Sequence, residues 1–251
     1  MHIDPTAIGA GVRVETFGSL GSTNAQALAR ARAGEPGPLW IVARQQTAGR
    51  GRRGRAWVSE PGNLYATLLL TDPSPPSRAA ELSFVAALAL FDAVVEIAPG
   101  LAARLSLKWP NDVLLDGAKL AGILVEGESG PPLAAAIGIG VNCAHHPSVA
   151  YPAIDLAAAG FPTPPEHLLA VLSPTMLARL AQWDRGNGFA GIRADWLRHA
   201  TGIGGRIRVA VGTEEAVGRF ADLDAAGHLV LALPDGTTRT IAAGDVFPVP
   251  A

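Results

Sequence analysis

A chain of 251 residues, 49% hydrophobic and 17% charged, has the composition of a folded globular protein with one large domain and a small appendage, or two modest domains, and excludes extended disorder. Its formal net charge of −2 argues against a dedicated nucleic-acid binder, which usually carries a basic domain. No cationic segment followed by an apolar run opens the chain and no stretch nears about 18 continuous apolar residues, so no leader or membrane span is expected and a cytoplasmic location is the default.

Residues 1–11 are short, mixed and glycine-tipped, too brief for a helix-turn-helix module, so the main domain is expected to begin almost at once. Alternation over 12–17 predicts a strand, and G-S-L-G-S-T-N at 18–24 leads into a helix-forming stretch at 25–33. Ser22, Thr23 or Asn24 can cap that helix by accepting from its free backbone amides; the same groups are equally placed to meet the polar head of a ligand.

A short apolar strand at 39–44 runs into Q-T-A-G-R-G-R-R-G-R-A-W at 46–57, where every residue from Gly49 to Arg55 is glycine or arginine. Glycine brings amide groups close to a ligand, and each arginine offers a planar fork of donors suited to phosphate or carboxylate. Three readings stay open for this loop alone: a phosphate clamp between two strands, the second resuming at Trp57; an arginine-glycine arm for nucleic acid; or a solvated basic loop.

After a P-G-N turn at 61–63, a β-rich run at 64–71 ends at Pro73, Pro75 and Pro76. Apolar spacing over 77–97 predicts a long helix, capped by Ser77 and stopped by Pro99-Gly100. Strands at 105–109 and 113–115 flank P-N-D, and Asp116-Gly117 signals a tight hairpin whose return strand begins at Lys119 and runs L-A-G-I-L-V-E. Asn111, Asp112 and Lys119 therefore converge near one end of the hairpin. Lys108 and Lys119 are the only lysines among 20 Lys and Arg residues, a hint that a compact ammonium is wanted there rather than a guanidinium fork.

A buried strand at 134–141 carries G-I-G at 138–140, a sign of close backbone packing, and ends at Asn142. Cys143 is the only cysteine, which removes an intramolecular disulfide and a cysteine-based zinc site; of six histidines, including His2 and the pair His145-His146, none forms H-E-x-x-H. A Pro/Ala-rich loop to 165 precedes helices at 166–183, interrupted near Ser173-Pro174, and 188–199. From 204 the period changes to short strands at 206–211, 215–222, 228–233 and 237–242, predicting a four- or five-stranded small barrel that packs on the main body.

Taken together, G-S-T-N at 21–24, the Gly/Arg run at 46–57, K-W-P-N-D-V at 108–113, K-L-A-G-I-L-V-E at 119–126 and G-I-G-V-N at 138–142 resemble the motifs of biotin protein ligases in type and order. The resemblance spans 12–249 and implies an α+β catalytic domain of the class II aminoacyl-tRNA-synthetase-like type, with a mixed, largely antiparallel sheet and helices, at 1–203. A C-terminal SH3-like β-barrel is implied at 204–251. The match is to the ligase-only form; members that double as repressors carry an N-terminal winged helix-turn-helix, for which residues 1–11 leave no room.

The implied chemistry has two half-reactions: biotin carboxylate attacks the α-phosphate of ATP to give biotinyl-5′-AMP and pyrophosphate, then a lysine of a biotin carboxyl carrier domain attacks the mixed anhydride and releases AMP. By resemblance, Ser22, Thr23, Asn24 and Gln46 bind biotin's ureido head, and Gly49, Arg50, Gly51 and Arg52 lie over biotin and its carboxyl. Lys119 bridges carboxylate and α-phosphate, while Gly122 lets the ligand pass close to the backbone. Arg52, Arg53 and Arg55 contact phosphate, Trp57 packs on adenine, and Asn111, Asp112 and Asn142 lie toward the nucleotide and Mg²⁺. The metal arrives with ATP; whether Asp112 helps hold it or orients the incoming lysine is open at this stage. So is homodimerisation. Lipoate or octanoate transfer shares the fold and the acyl-adenylate logic, but those ligases lack this Gly/Arg run in the same form.

Overall fold

The computed structural model describes residues 3–128, 130, 133–149 and 151–249, so His2 lies outside the described residues. A short helix α1 (Pro5–Gly9) precedes β1 (Arg13–Phe17), α2 (Thr23–Arg32), β2 (Leu39–Ala43) and β3 (Leu64–Thr71). Then come α3 (Leu82–Ile97), β4 (Leu105–Lys108), β5 (Asp112–Leu115), β6 (Ala118–Glu128) and β7 (Ala134–Val141), followed by α4 (Pro165–Trp183) and α5 (Phe189–Arg198). Strands β8 (Arg206–Val211), β9 (Glu214–Leu223), β10 (Leu229–Ala232), β11 (Thr238–Ile241) and β12 (Asp245–Pro248) complete the chain.

Seven strands form one sheet in the order β1-β2-β3-β7-β6-β5-β4, in which only β1 and β2 run parallel. The period-two alternation of side chains gives this sheet two distinct faces. Trp40, Val42, Leu64, Ala66, Leu68, Ile137 and Ile139 face the main core, where α3 and α4 pack. α3 is buried around most of its circumference, which its almost uninterrupted apolar sequence requires. The opposite face is only half covered. α2 lays Ala27 and Ala31 against Leu39, Ile41, Leu69 and Ala136, leaving the β7-β6-β5 part of that face to Gly138, Gly140 and Gly122. This glycine strip underlies the site.

Strands β8 to β12 form a five-stranded antiparallel sheet in the order β11-β10-β9-β8-β12. Its inner residues Ile207, Val209, Phe220, Leu223, Leu229 and Leu231 belong to the same core as the first sheet. Trp109 Nε1 donates to Gly227 O at 3.0 Å and Arg193 Nε to Leu223 O at 2.8 Å across the junction.

Several expectations need correction. α2 starts two residues earlier than predicted, with Ser22 as the cap, so Thr23 and Asn24 sit inside its first turn. Ser77 does not cap α3: it lies in a 3₁₀ segment, Pro76–Glu81, bent by the prolines, and α3 begins at Leu82 with no side-chain cap. No strand resumes at Trp57; a lone bridge between Arg50 and Ala56 closes the arginine loop on itself. α4 is continuous through Pro174. The proline removes one amide donor, while the hydroxyls of Ser173 and Thr175 donate to Leu169 O at 2.9 Å and Ala89 O at 2.9 Å and fasten the helix to itself and to α3. The C-terminal barrel has a fifth strand, β12, absent from the predicted set.

Candidate active site

The cavity over the glycine strip holds about 740 Å³ and is lined by residues from α2, the 46–57 loop, the β4-β5-β6 hairpins, β7, Tyr151 and β12. Its polar end is built around Asn24. That side chain is buried, accepts from Thr67 Oγ1 at 2.7 Å and donates to Leu124 O at 3.1 Å and Glu126 Oε2 at 2.8 Å. Thr67 and Leu124 are the cross-strand neighbours of Gly138, so Asn24 is seated directly on a residue without a side chain. A Cβ at Gly138 would lie 2.2 Å from Asn24 Oδ1. Beside it, Gln46 Oε1 accepts from Thr23 N at 2.8 Å and Thr23 Oγ1 at 3.1 Å, and Gln46 Nε2 donates to Ser59 Oγ at 2.9 Å.

Lys119 stands on the cavity wall. Its Nζ lies 2.7 Å from Asp112 Oδ1, 5.4 Å from the centre of the Trp57 ring and 5.6 Å from that of Tyr151. A bulge in β6 makes this possible. Leu114 pairs with Lys119 but Val113 pairs with Ala121, so one extra residue is accommodated on β6. Lys119 and Gly122, three apart, would face opposite sides of a regular strand; across the bulge both face the cavity. Lys119's main chain is also fixed: its N–H donates to Pro152 O at 2.8 Å, and its carbonyl accepts from Ile154 N at 3.1 Å and Asn142 Nδ2 at 3.3 Å.

The arginine loop forms the roof. Gly51 N donates to Arg55 O at 2.7 Å and Trp57 N to Gly49 O at 2.9 Å, and a 3₁₀ turn at Arg52–Gly54 reverses the chain with Arg53 at φ 58°. Arg50 pairs with Glu126 at 3.3 Å. Arg52 points inward, donating to Asn111 Oδ1 at 3.2 Å and Gly244 O at 3.3 Å, while Arg55 and Arg53 pair with Asp245 at 2.7 and 3.2 Å. Trp57 lies on the glycine strip: a Cβ at Gly140 would meet its indole at 2.7 Å and one at Gly122 would meet it at 3.0 Å. Among the described residues, the buried indole Nε1 finds no hydrogen-bond partner.

Five cations, Arg50, Arg52, Arg55, Lys108 and Lys119, line the cavity against two carboxylates, Asp112 and Asp245. Such an excess raises the local concentration of anions, although the whole chain is slightly acidic. Burial holds the Lys108 ammonium below the usual lysine range, partly countered by Asp112. Tyr65, on the floor of the cavity, donates to Glu60 O at 2.8 Å and burial pushes its phenol up to about 12, so it is neutral.

The structure therefore brings Ser22, Thr23, Asn24, Gln46, Arg50, Gly51, Arg52, Arg55, Trp57, Asn111, Asp112, Lys119 and Gly122 to one cavity. Gly49, Arg53 and Asn142 are not on its wall. Gly49 packs the loop stem, where a Cβ would lie 2.5 Å from Trp57 O; Arg53 faces Asp245; and Asn142 spends its amide on the Lys119 and Ile154 carbonyls. Lys108, Glu126, Tyr151 and Asp245 were not singled out as site residues. The scarcity of lysine pointed to Lys108, and a carboxylate on the Gly122-Leu124 face of an apolar strand pointed to Glu126. No local signal marks Asp245.

Among the described residues, no cluster of three or more His, Cys, Asp and Glu side chains could hold a metal, and no helix is long and apolar enough to cross a membrane. Residues 20–142 match the biotin/lipoate A/B protein ligase family and residues 202–247 match the biotin protein ligase C-terminal domain. The chain is 47% identical over 235 residues to a biotin–[acetyl-CoA-carboxylase] ligase of Paracoccus denitrificans, covering 90% of this chain and 96% of the relative. It is 36% identical to the enzyme of the same name from Mycobacterium tuberculosis, covering 95% of this chain and 91% of that one. The biotin protein ligase of Aquifex aeolicus, solved in complex with biotin and ATP, shares the fold with a TM-score of 0.77 at 24% identity, over 95% of this chain and 99% of that one. On matched regions that include both the catalytic motifs and the C-terminal sheet, and on relatives aligned over nearly their whole length, the chain belongs to the biotin protein ligases.

Proposed function

We propose that this chain activates biotin with ATP as biotinyl-5′-AMP and transfers biotin to a lysine of a biotin carboxyl carrier domain. The observation that carries this reading is one cavity that gathers the Lys119–Asp112 pair, the amides of Asn24 and Gln46, and the guanidiniums of Arg50, Arg52 and Arg55. A ureido ring needs donors and acceptors at one end of an otherwise apolar slot, and Asn24, Thr23 and Gln46 supply both. Trp57, seated on the glycine strip, supplies a flat wall for a bicyclic ring system.

In the first half-reaction two anions must approach each other. The carboxylate oxygen forms a bond to the α-phosphorus, the bond to the bridging oxygen breaks, and pyrophosphate leaves with its electron pair. Lys119 neutralises both reactants at the point of approach, and Arg52 and Arg55 stabilise the negative charge growing on phosphate oxygens. Mg²⁺ enters as the ATP complex, with Asp112 the carboxylate nearest Lys119 on the cavity wall. In the second half-reaction the acceptor amine attacks the acyl carbon, the acyl–oxygen bond to phosphate breaks, and AMP departs. Asp112 orients the incoming amine and accepts the proton that the nitrogen loses as the amide forms. A closed arginine roof keeps water from the anhydride between the two steps.

Asn142 acts one step removed, holding the main chain of Lys119. The boundary between the catalytic region and the C-terminal sheet falls at 203/204. The enzyme works in the cytoplasm. A homodimer that uses an edge of the seven-stranded sheet would use β1, because β4 at the other edge is bridged by Leu107 to Ala200. Incubation of the purified protein with MgATP and either biotin or lipoate, followed by mass spectrometry, tests the proposal. Biotinyl-5′-AMP is expected with biotin alone; lipoyl-5′-AMP, or no adenylate with either acid, overturns it.

A further inference from the structure

We infer that Asp245, on β12 of the C-terminal sheet, is a positioning residue that latches the arginine loop shut over the reaction cavity. Its carboxylate sits between three guanidiniums from a segment some 190 residues away in sequence: Arg55 Nη2 at 2.7 Å, Arg53 Nη1 at 3.2 Å and Arg52 Nη1 at 4.0 Å. The adjacent Gly244 carbonyl accepts from both Nη atoms of Arg52 at 3.3 Å. β12 is itself fixed, pairing with β8 from Asp245↔Ala210 to Pro248↔Ile207, with Val246 turned into the core. The latch is thus anchored to a rigid strand, and the loop to the latch.

Two geometries of one carboxylate among arginines must be told apart. A carboxylate that merely occupies the seat of a phosphate would grip the arginine that faces the cavity. Asp245 makes its shortest contact to Arg55, which lines the cavity, but it also reaches Arg53, which is off the cavity wall, at 3.2 Å, and it is loosest on Arg52, whose side chain is only 19% exposed and points at Asn111. Arg53 and Arg55 hold the loop down, and Arg52, bonded to Asn111 and the Gly244 carbonyl, is the arginine that Asp245 neutralises least. At the other end of the loop, Arg50 is tied to Glu126, which also holds Asn24. Burial alone would raise the Asp245 carboxyl, but the charges and hydrogen bonds of Arg55, Arg52 and Arg53 hold it below the usual carboxylate range. The latch is therefore fully charged at neutral pH. The C-terminal sheet, on this account, is part of the lid mechanism and sets how long the adenylate is retained.

This inference rests on the biotin-activating reading for its ligand but not for its geometry. The test uses the whole chain as wild type, Asp245→Asn and Asp245→Glu, each preloaded with biotinyl-5′-AMP, with release followed by rapid gel filtration and trypsin cleavage at 50–55 followed without ligand. Asp245→Asn is expected to release adenylate about tenfold faster, the scale of one lost charge-assisted contact, and to expose the loop arginines to trypsin. Asp245→Glu should return most of the retention, and raising salt should accelerate release from wild type more than from Asp245→Asn. Release and cleavage unchanged in Asp245→Asn would overturn the latch. So would a fall in the KM for MgATP without faster release, the mark of a carboxylate that only competes with phosphate. If Asp245→Asn does not fold, Arg53→Gln removes one of the latch contacts from the loop side without touching the cavity wall and carries the same expectations. Should wild type form no adenylate, the functional reading fails, and the trypsin pattern alone decides the latch.

Discussion

Gly138→Ala tests the construction of the polar end of the cavity. The added methyl would sit 2.2 Å from Asn24 Oδ1 and 2.9 Å from its Cγ, a separation that no relaxation of the methyl alone can relieve. The strand has little room to retreat, since β7 is paired on both sides, Thr67↔Gly138 and Leu124↔Gly138. Asn24 must therefore swing away, giving up the bonds to Thr67 Oγ1, Leu124 O and Glu126 Oε2. Two neutral bonds at about 1 kcal/mol each and one to a carboxylate at roughly 2 kcal/mol set a ceiling near 4 kcal/mol, so a loss of about 3 kcal/mol is expected after partial relaxation. For a chain of this size that lowers Tm by roughly 6–12 °C. Biotin affinity, measured by titration calorimetry, should fall by at least about 100-fold, because the displaced amide both leaves its partners and intrudes on the ligand's space. Gly127→Ala on the neighbouring strand is the control: its methyl would meet only Ala134 O at 3.6 Å, and the change should be within about 0.5 kcal/mol. The double variant Asn24→Ala, Gly138→Ala should regain stability without regaining biotin binding. Biotin affinity of Gly138→Ala within about threefold of wild type, with an unchanged Tm, would refute the reasoning.

Arg52→Gly removes the inward guanidinium and its bonds to Asn111 and Gly244, and should release biotinyl-5′-AMP about tenfold faster while biotinylation of the correct acceptor continues; a release assay on preloaded enzyme checks this. Cys143 is buried and burial pushes its thiol up to about 12, so a thiol reagent at mildly alkaline pH should label it only after denaturation; rapid stoichiometric labelling of the native protein would contradict the packing described here.

How much of this was legible in advance depended on how local the determining interactions are. The Asp116-Gly117 hairpin was readable because its two residues need positive φ, and they have 51° and 77°. The glycines of G-I-G were readable as places of close approach, which Asn24 and Trp57 now fill. The convergence of Asp112 and Lys119 followed from the hairpin, but the bulge that turns Lys119 and Gly122 to one face did not, since nothing in L-A-G reveals where an extra residue is absorbed. Pro174 misled because a helix break is the local expectation, and the hydroxyls that fasten α4 to α3 act through tertiary contact. Asn142 was legible as a site residue only by resemblance; its amide faces the main chain behind Lys119. Asp245 was beyond reach, since its partners lie on the other side of the molecule in sequence and β12 itself is four residues long.

The most direct test of the whole account is pre-steady-state adenylate formation by Lys119→Ala, with biotin binding to the same variant measured by calorimetry. Lys119 joins the biotin end to the phosphate end, so the variant should bind biotin within about tenfold of wild type and form biotinyl-5′-AMP at least about 100-fold more slowly. Adenylate formed at the wild-type rate would mean that the two anions are brought together elsewhere.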